Sequence, residues 1–357
     1  MHHPAMKPPL LTPELPGCGG RIRVQDDDFE VEEVPSYEPS GTGGHLYLWV
    51  EKRGMAPEYF ARQIAQRLGV SAGAVGTAGL KDRYAVTRQW VSVPAECEPR
   101  VGKVEGDGIR VLKTGRHTNK LKPGHLRGNR FRILIRDPDR TREASTAAIL
   151  ERIRSQGLPN FYGPQRFGRD GGTVELGWQC LAGNGPRRLR PFLYRFALSS
   201  VQSLLFNDYL SRRLTDGLFR TVLDGDAMAK WPTGGMFIVK DVAAEQARFD
   251  ARETVTAGPM FGKKTFPADG VAEEREALVL KDHNLSPASF GGFGKLVLGT
   301  RRHNMVYLDD IAATWEPDGL RLAFTLPAGS YATVLLAEVM KTTVEEQDEP
   351  VGEDDGD

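Results

Sequence analysis

One acidic side chain, Asp82, stands between two cationic residues, Lys81 and Arg83, at the end of a glycine-rich turn. The stretch that follows, AVTRQWVSV, alternates apolar and polar residues as a strand does. A carboxylate that nearby cations keep ionised can act as a nucleophile or stabilise a developing positive charge. A surface acid that is only paired with its neighbours has the same local sequence, so this stretch alone leaves both interpretations open.

Aromatic residues interleaved with arginine occur in two other stretches, GNRFR (128–132) and NFYGPQRFG (160–168). Aromatic rings and guanidinium groups hold unpaired bases by stacking on them. The same composition is common in ordinary cores and on charged surfaces. The pattern by itself therefore raises RNA binding only as a hypothesis.

The net charge of zero hides a division of charge along the chain. Residues 344–357 contain eight acids and no Lys or Arg, and 47 − 8 leaves 39 acids against 47 bases, so the rest of the chain carries about +8. Residues 111–136 contain eight Lys or Arg and no acid. This basic strip suits a polyanionic partner, although a solvated basic face gives the same composition.

Length and composition indicate an ordinary globular protein. The 357 residues are enough for one large core or two domains, and the chain is 40% hydrophobic and 26% charged. No apolar run approaches the roughly 18 residues needed to span a membrane, and the N-terminus does not resemble a secretion signal. The cysteines (Cys18, Cys97 and Cys180) lie far apart without a CxxC pair, which predicts a reducing, cytoplasmic location.

Cofactor and metal motifs are incomplete. The glycines of GPMFGKKT (258–265) are separated by three residues rather than four, and FGGFGKLVLG lacks the strand-glycine-helix context of a dinucleotide site. His117 and His125 are not part of an HExxH motif or a Cys/His cluster. Cys97 lies between acids, which disfavour a reactive thiolate. The sequence therefore predicts neither a cofactor nor a metal.

Hydrophobic periodicity predicts strand-rich pieces on both sides of a more helical middle. Strands are predicted within 21–34 and over 45–52, 85–93 and 129–137, helices over 56–69, 143–156 and 191–214, and a strand-turn-helix over 321–341. We predict an α+β domain at residues 21–157 and 306–342, interrupted by an inserted domain at residues 158–305. Residues 1–20 are predicted to form a flexible tail, and residues 343–357 a disordered acidic tail.

Six blocks of the sequence, in this order, closely resemble the TruD family of tRNA pseudouridine synthases: AGLKDRYAVTRQW, HTNKLKPGHLRGNRF, PNFYGPQRFG, SSVQSLLFNDYLSRR, GPMFG and LPAGSYAT. The resemblance runs from about residue 21 to residue 342. It implies a pseudouridine synthase catalytic domain on a mixed, largely antiparallel sheet, with an inserted α+β TRUD domain. It also implies isomerisation of uridine to pseudouridine at position 13, in the D arm of tRNA, without cofactor or metal.

The resemblance also implies roles for individual residues. Asp82 occupies the position of the catalytic aspartate in the family's G-x-K-D motif. The positions expected to contact the substrate are Arg23, Phe29, Asn129, Phe131 and Tyr331. We expect the target base to be flipped out of the D arm, with the tRNA backbone held by residues 111–136 and 301–303.

Several alternatives stay open at the level of sequence. Asp82 could attack C1′ of the ribose or the base itself, and Lys81, Arg83 or Arg23 could be the cation beside it. An RNA chaperone built on the same fold, or an enzyme whose RNA substrates include mRNA, would have much the same sequence features. The oligomeric state is not predicted.

Overall fold

The computed structural model describes residues 6–232 and 234–342. The strands within these residues are β1 (Phe29–Pro35), β2 (His45–Arg53), β3 (Gly76–Thr77), β4 (Val86–Pro94), β5 (Ile109–His117), β6 (Leu126–Arg136), β7 (Leu158–Pro159), β8 (Ala227–Lys230), β9 (Met236–Ile238), β10 (Thr254–Met260), β11 (Thr300–His303), β12 (Met305–Val306), β13 (Ala312–Glu316) and β14 (Gly319–Pro327). The α-helices are α1 (Pro57–Leu68), α2 (Glu143–Gln156), α3 (Gly172–Leu181), α4 (Pro191–Thr215), α5 (Val242–Asp250), α6 (Gly270–Asp282) and α7 (Ala332–Met340).

The main sheet has eight strands in the order β13-β14-β6-β1-β4-β2-β5, with β3 paired to β4. The β1–β4 pair is parallel, and the other strand pairs described in this sheet are antiparallel. These pairings confirm the predicted α+β fold with a mixed, largely antiparallel sheet. The parallel pair lies near the middle of the sheet and brings the two halves together there.

Alternation along the strands gives this sheet one inner face that carries two apolar clusters. On β6 the side chains of Ile133 and Ile135 pack with those of α2 and α7 in the larger cluster. On β2 the side chains of Leu46 and Leu48 pack with those of α1 in the second cluster. Helix α1 buries one residue per turn because its apolar residues recur at helical spacing, and it ends at Gly69, whose φ of 64° is left-handed.

Between the two clusters the inner face becomes polar. Register places Lys52 of β2 opposite Thr87 of β4, and Thr87 opposite Val31 of β1. Because side chains alternate along a strand, Gln89 and Glu33 point to the same face as Thr87 and Val31. This polar strip lies in the middle of the sheet, where β1 and β4 run side by side.

Residues 158–305, predicted as an inserted domain, contain a second sheet of order β11-β10-β8-β9 and helices α3 to α6. The short pair β7–β12 joins the beginning of this segment to its end, with Leu158 opposite Val306. Apolar contacts continue from the main sheet into this segment, since one cluster contains both Ile133 and Leu205. The domain boundaries themselves stay a prediction.

The N-terminal prediction is wrong for residues 6–20, which are packed rather than flexible. The hydroxyl of Thr12 donates a hydrogen bond to Glu338 of α7 at 2.8 Å, and both residues are buried. The amide of Cys18 donates to the carbonyl oxygen of Val339 at 2.9 Å. The buried Glu338 carboxylate needs donors, and this segment supplies them. Residues 1–5 and the predicted acidic tail at 343–357 lie outside the described residues.

Within residues 21–34 the sequence predicted strands on both sides of an acidic turn, and the structure has only the second strand, which begins at Phe29. Residues Asp26–Asp28 form a 3₁₀ turn, and before it Arg21 makes a single bridge to Arg136. Three consecutive aspartates favour a turn because their short polar side chains bond to nearby backbone groups. The helices predicted at 56–69, 143–156 and 191–214 are confirmed within one residue at each end.

Candidate active site

Asp82 lies in the loop between β3 and β4, and an arginine from another part of the chain holds its carboxylate. Nη2 of Arg23 donates a hydrogen bond to Oδ1 of Asp82 at 2.8 Å. The side chain of Asp82 is 39% exposed, whereas that of Arg23 is 12% exposed. The cation is therefore fixed within the protein while the carboxylate remains accessible to a ligand.

A buried lysine fixes the backbone of Asp82. Nζ of Lys52 donates hydrogen bonds to the carbonyl oxygens of Asp82 and Met55, each at 2.7 Å. Burial lowers the pKa of Lys52 to about 8, and the negative charge of Asp82 opposes part of that effect. Lys52 lies near the end of β2, in the polar strip of the inner face. Its hydrogen bond therefore anchors the Asp82 loop to the main sheet.

The structure shows what the cations that the sequence left open contact. Arg23 pairs with the Asp82 carboxylate. Nζ of Lys81 instead donates to Oε2 of Glu33 at 3.0 Å, and both of those side chains are buried. The guanidinium of Arg83 lies 5.2 Å from the ring centroid of Tyr84. Lys81 therefore anchors the loop, and Arg23 supplies the charge beside Asp82.

Arg23 has an unusual backbone conformation. Its φ is 57°, in the left-handed region that favours glycine. Such a conformation costs a non-glycine residue about 1–2 kcal/mol and persists where surrounding contacts hold it. One such contact is with Phe29, whose ring centroid lies 4.4 Å from the guanidinium carbon. The strain is located at the residue that binds Asp82.

Both predicted phenylalanines lie below the surface of the site. Phe29 is 1% exposed and Phe131 is 6% exposed. Their ring centroids are 6.2 Å apart with an edge-to-face geometry, and Phe131 stacks on Phe324 at 5.2 Å. Phe29 therefore reaches the site through its contact with Arg23. Phe131 forms part of the apolar floor.

Asn129 belongs to a group of buried polar atoms without partners among the described residues. It lies two residues before Phe131 on β6, so its side chain faces the same side of the sheet. Among the eleven such atoms are Oδ1 of Asn129, Oγ1 of Thr87, Oε1 of Gln89 and Nε of Arg23. A buried polar atom without a partner costs about 1–3 kcal/mol, so the three on the inner face of the sheet are candidates to bind a polar ligand.

Sequence analysis missed Thr87 and Gln89. Both are buried and point to the inner face of β4, where an apolar residue would be expected. The signal was present in AVTRQWVSV, because the inward positions of that strand read Ala85, Thr87, Gln89, Val91 and Val93. Two polar residues on an otherwise apolar face of a strand indicate that this part of the face packs against polar groups.

Tyr331 lies at the position before the first residue of α7 and contacts a different part of the chain from Asp82. Its ring centroid is 5.6 Å from that of Tyr162, in the NFYGPQRFG loop. The structure thus connects Arg23 and Phe29 with Asp82 by contact and places Asn129 and Phe131 on the inner face of the sheet. It places Tyr331 against the loop that leads into the 158–305 segment.

Two arginines expected to hold the tRNA backbone are engaged inside the protein. The side chain of Arg301 is 2% exposed and forms an ion pair with Glu276. Arg302 donates hydrogen bonds to Oδ1 of Asn160 at 2.7 Å and to the carbonyl oxygen of Gly329 at 2.8 Å. Both guanidinium groups support the fold because they bond to acceptors within the protein. The burial of Arg301 argues against a phosphate contact from that residue, and the contact expected of Arg302 stays a prediction.

The basic strip at residues 111–136 is partly neutralised. Four of its cations form ion pairs with carboxylates: Lys113 with Glu38, Arg116 with Glu98, Arg130 with Glu32 and Arg136 with Asp28. The side chains of Lys122, Arg127 and Arg132 are exposed. The positive electrostatic potential of this surface is therefore weaker than the number of its basic residues indicates. Paired charges of opposite sign largely cancel at a distance.

A cavity of about 570 Å³ lies elsewhere, between residues 6–10, the loop at 161–170 and helix α7. Asp82 is not one of its lining residues. Within residues 6–232 and 234–342, no group of three or more His, Cys, Asp or Glu side chains is arranged to hold a metal ion. In the same part of the chain, no helix is long and apolar enough to cross a membrane.

Comparison with known proteins first defines the fold. A solved crystal structure from Methanosarcina mazei, named for tRNA pseudouridine synthase D (TruD), superposes with a TM-score of 0.78 and covers 96% of this chain and 99% of its own. The two sequences are 24% identical, so this likeness concerns the fold alone. The arrangement described above is therefore a TruD fold.

Sequence comparison then defines the family. The family model described as tRNA pseudouridine synthase D (TruD) matches residues 8–186 and 182–339. A tRNA pseudouridine synthase D from Anaeromyxobacter sp. (strain Fw109-5) is 45% identical over 343 residues, 94% of this chain and 97% of that protein. Another from Thermus thermophilus is 45% identical over 334 residues, 93% of this chain and 92% of that protein. The chain belongs to the TruD family.

Proposed function

We propose that this chain isomerises uridine to pseudouridine at position 13 of the D arm of tRNA, with Asp82 as the nucleophile. The observation that carries the proposal is the 2.8 Å contact between Arg23 and a carboxylate that stays 39% exposed. Family membership supports the reaction, because the relatives are named tRNA pseudouridine synthase D. A paired yet accessible carboxylate is what nucleophilic attack on an extruded nucleotide requires.

The reaction needs no redox partner or group donor. The N1–C1′ bond of uridine breaks, the uracil turns, and C5 bonds to C1′. C5 then loses its proton and N1 gains one, so reactant and product are isomers. Asp82 adds to C1′ or to the base and is released when the new C5–C1′ bond is complete. In either route Arg23 holds a fixed positive charge against the carboxylate until it reacts.

The detached uracil must be held while it turns. Its edge presents two carbonyl acceptors and one N–H donor. The buried Nε of Arg23 can donate to a carbonyl, and Oδ1 of Asn129 can accept from the N–H. Phe131, two residues along β6 from Asn129, restrains the plane of the ring from the apolar floor. Tyr331 would approach from the side of the 158–305 segment.

Two further properties follow from this proposal. The chain acts without a small-molecule cofactor, because every step is addition, rotation or proton transfer. It acts in a reducing cytoplasm, which agrees with the finding that Cys18, Cys97 and Cys180 are free and buried. Its partner is tRNA.

Pseudouridine mapping in cells tests the proposal. In a strain that lacks the gene, chemical labelling of pseudouridine should show position 13 of tRNA unmodified. The wild-type chain should restore the modification, and the Asp82→Asn variant should not. Asp137→Asn is the matched control, because Asp137 also pairs with an arginine, Arg21, but on an exposed surface. Full restoration by Asp82→Asn would refute the role of Asp82.

A further inference from the structure

An exposed aromatic residue marks a second surface, at the beginning of α4. Phe192 is 72% exposed. Its ring stacks on that of Phe196, one helical turn later, with centroids 5.9 Å apart and planes 6° from parallel. A phenylalanine this exposed gains little from the core, so its ring is available to a binding partner.

Arginines surround this aromatic pair. The sequence RRLRPFLYRF, residues 187–196, contains four arginines and no acid. Arg187, Arg188 and Arg195 are exposed, and within the described residues none of the three forms an ion pair. This surface differs from the 111–136 strip, whose cations are in part paired with carboxylates. Its positive charge is therefore available to a polyanion.

A continuous row of side chains connects this surface with Tyr331, a predicted substrate contact. Arg166 lies between two rings, with its guanidinium carbon 4.9 Å from the centroid of Phe196 and 5.6 Å from that of Tyr162. Tyr162 in turn lies 5.6 Å from Tyr331. We call this row the aromatic ridge, and it consists of Tyr331, Tyr162, Arg166, Phe196 and Phe192.

The centre of the ridge is rigidly held. Nη2 of Arg166 donates a hydrogen bond to Oγ of Ser199 at 2.8 Å, and Nε donates to Oγ of Ser203 at 3.0 Å. Both serines lie on α4, one turn apart, so they fix the guanidinium plane relative to the helix. A fixed alternation of rings and guanidinium groups is a stacking surface for unpaired bases.

We propose that the aromatic ridge binds an unpaired RNA segment that continues from the target nucleotide, with one base stacked on Phe192 and its phosphates held by Arg187, Arg188 and Arg195. The inference rests on the proposed function, because Tyr331 at one end is a predicted substrate contact. RNA is favoured over a second copy of this chain, because the surface has no acid between residues 187 and 196 and two such surfaces would repel each other.

Replacement of Phe192 tests the stacking contact. Phe192→Ala should raise the Kd for unmodified tRNA about 5- to 150-fold, the range expected for loss of one stacked base. Phe192→Trp should keep the Kd within about twofold, since stacking needs only a ring. Leu278→Ala is the control, at a residue that is 50% exposed on α6.

Replacement of Arg195 tests the phosphate contact. Arg195→Gln should weaken tRNA binding and reduce the slope of log Kd against log salt concentration by about 1, the change expected for one lost phosphate contact. Lys281→Gln removes one exposed charge from α6 and should leave that slope unchanged. Equal slopes for wild type and Arg195→Gln would overturn the assignment of this arginine.

The outcomes separate this inference from the proposed function. An unchanged Kd in folded Phe192→Ala overturns the ridge proposal, even if the wild-type chain forms pseudouridine normally. A change seen only in self-association, measured by sedimentation, also overturns it and indicates a protein contact instead. Conversely, the wild-type chain could bind tRNA through Phe192 and yet form no pseudouridine in it. That result would refute the proposed function and leave the ridge proposal standing.

Discussion

Arg23 has a strained backbone and also binds the carboxylate of Asp82. Its φ of 57° is unfavourable for arginine, yet this conformation brings its guanidinium within 2.8 Å of Asp82 and 4.4 Å of the Phe29 ring centroid. Arg differs from Lys in presenting a planar group that can stack on a ring and donate several hydrogen bonds at once. The residue therefore both orients the carboxylate and covers the aromatic floor.

Loss of this guanidinium should affect catalysis more than binding. We expect Arg23→Gln to lower the single-turnover rate constant about 10²- to 10³-fold, as removal of one preorganised donor does in other enzymes. The Kd for tRNA should change little, because one side chain that is 12% exposed adds few backbone contacts. Rapid-quench kinetics with excess enzyme measure the rate constant directly.

Arg21→Gln is the matched control for this experiment. Arg21 lies two residues earlier and also pairs with an aspartate, Asp137, but both side chains are well exposed. Exposed ion pairs contribute little, so this variant should retain the wild-type rate. Equal loss of activity in the Arg21 and Arg23 variants would show that the effect is general and not specific to the site.

Lys52 should give stability a characteristic pH dependence. Burial lowers its pKa from 10.5 to about 8. Between these two pH values the unfolded state holds more protons than the folded state, so the free energy of unfolding rises with pH across this window. Below pH 8 both states are protonated and the contribution is constant. The increase is at most about 3 kcal/mol.

Comparison with Lys52→Met isolates this titration. The variant loses two hydrogen bonds and should be less stable than the wild type throughout, but it cannot titrate at residue 52. The difference in unfolding free energy, wild type minus variant, should therefore increase from about pH 8 to pH 10.5. Denaturant titrations at several pH values measure it. A constant difference across the window would show that Lys52 titrates normally.

At the residue scale, the sequence predicted which residues belong to the site better than it predicted how they contact one another. Asp82 was identified by its motif and Arg23 was one of three candidate cations, but no local pattern could select Arg23, which is separated from Asp82 by 59 residues. That contact depends on the placement of the loop over the parallel pair β1–β4. Thr87 and Gln89 could have been found, because they interrupt an apolar face.

At the scale of elements, the buried ion pair between Lys81 and Glu33 holds the Asp82 loop against β1. The two side chains are 3% and 1% exposed. Removal of one partner leaves an uncompensated buried charge and typically costs about 3–5 kcal/mol, whereas removal of both is far less harmful. We therefore expect Lys81→Met to be strongly destabilised and Lys81→Met/Glu33→Leu to recover most of that loss.

Activity of the double variant reports on positioning. The loop would keep its tie to Lys52 but lose its polar anchor on β1, so the rate constant should fall even though stability is largely recovered. Denaturant titration gives the stability, and single-turnover kinetics give the rate. A double variant that is as unstable as Lys81→Met would argue against the buried pair. One with the wild-type rate would argue that Lys52 alone positions Asp82.

Periodicity predicted long elements well and short ones poorly. Helices α1, α2 and α4 were predicted because their apolar residues recur at helical spacing over three turns or more. The 3₁₀ segment Ala95–Val104 was missed, because a helix with three residues per turn and an internal proline has no regular apolar stripe. Pairing between strands distant in sequence, such as β14 with β6, is not encoded in any local pattern.

At the scale of the whole molecule, the distribution of charge depends on the fold. The sequence marked residues 111–136 as the basic surface, but carboxylates from β1 and from residues 28, 38 and 98 pair with half of its cations. The arginines at 187–195 were not predicted to bind RNA, because no local pattern indicated that Phe192 beside them would be exposed. Exposure is a property of the assembled structure.

The central claim is that a carboxylate, paired with Arg23 and open to solvent, carries out the isomerisation. Tritium release from tRNA labelled at C5 of uridine tests it most directly, because the hydrogen at C5 leaves only when the new bond forms. Purified Asp82→Asn should bind the labelled tRNA with a Kd close to that of the wild type and release no tritium. Tritium release by that variant at a rate near the wild type would contradict the account.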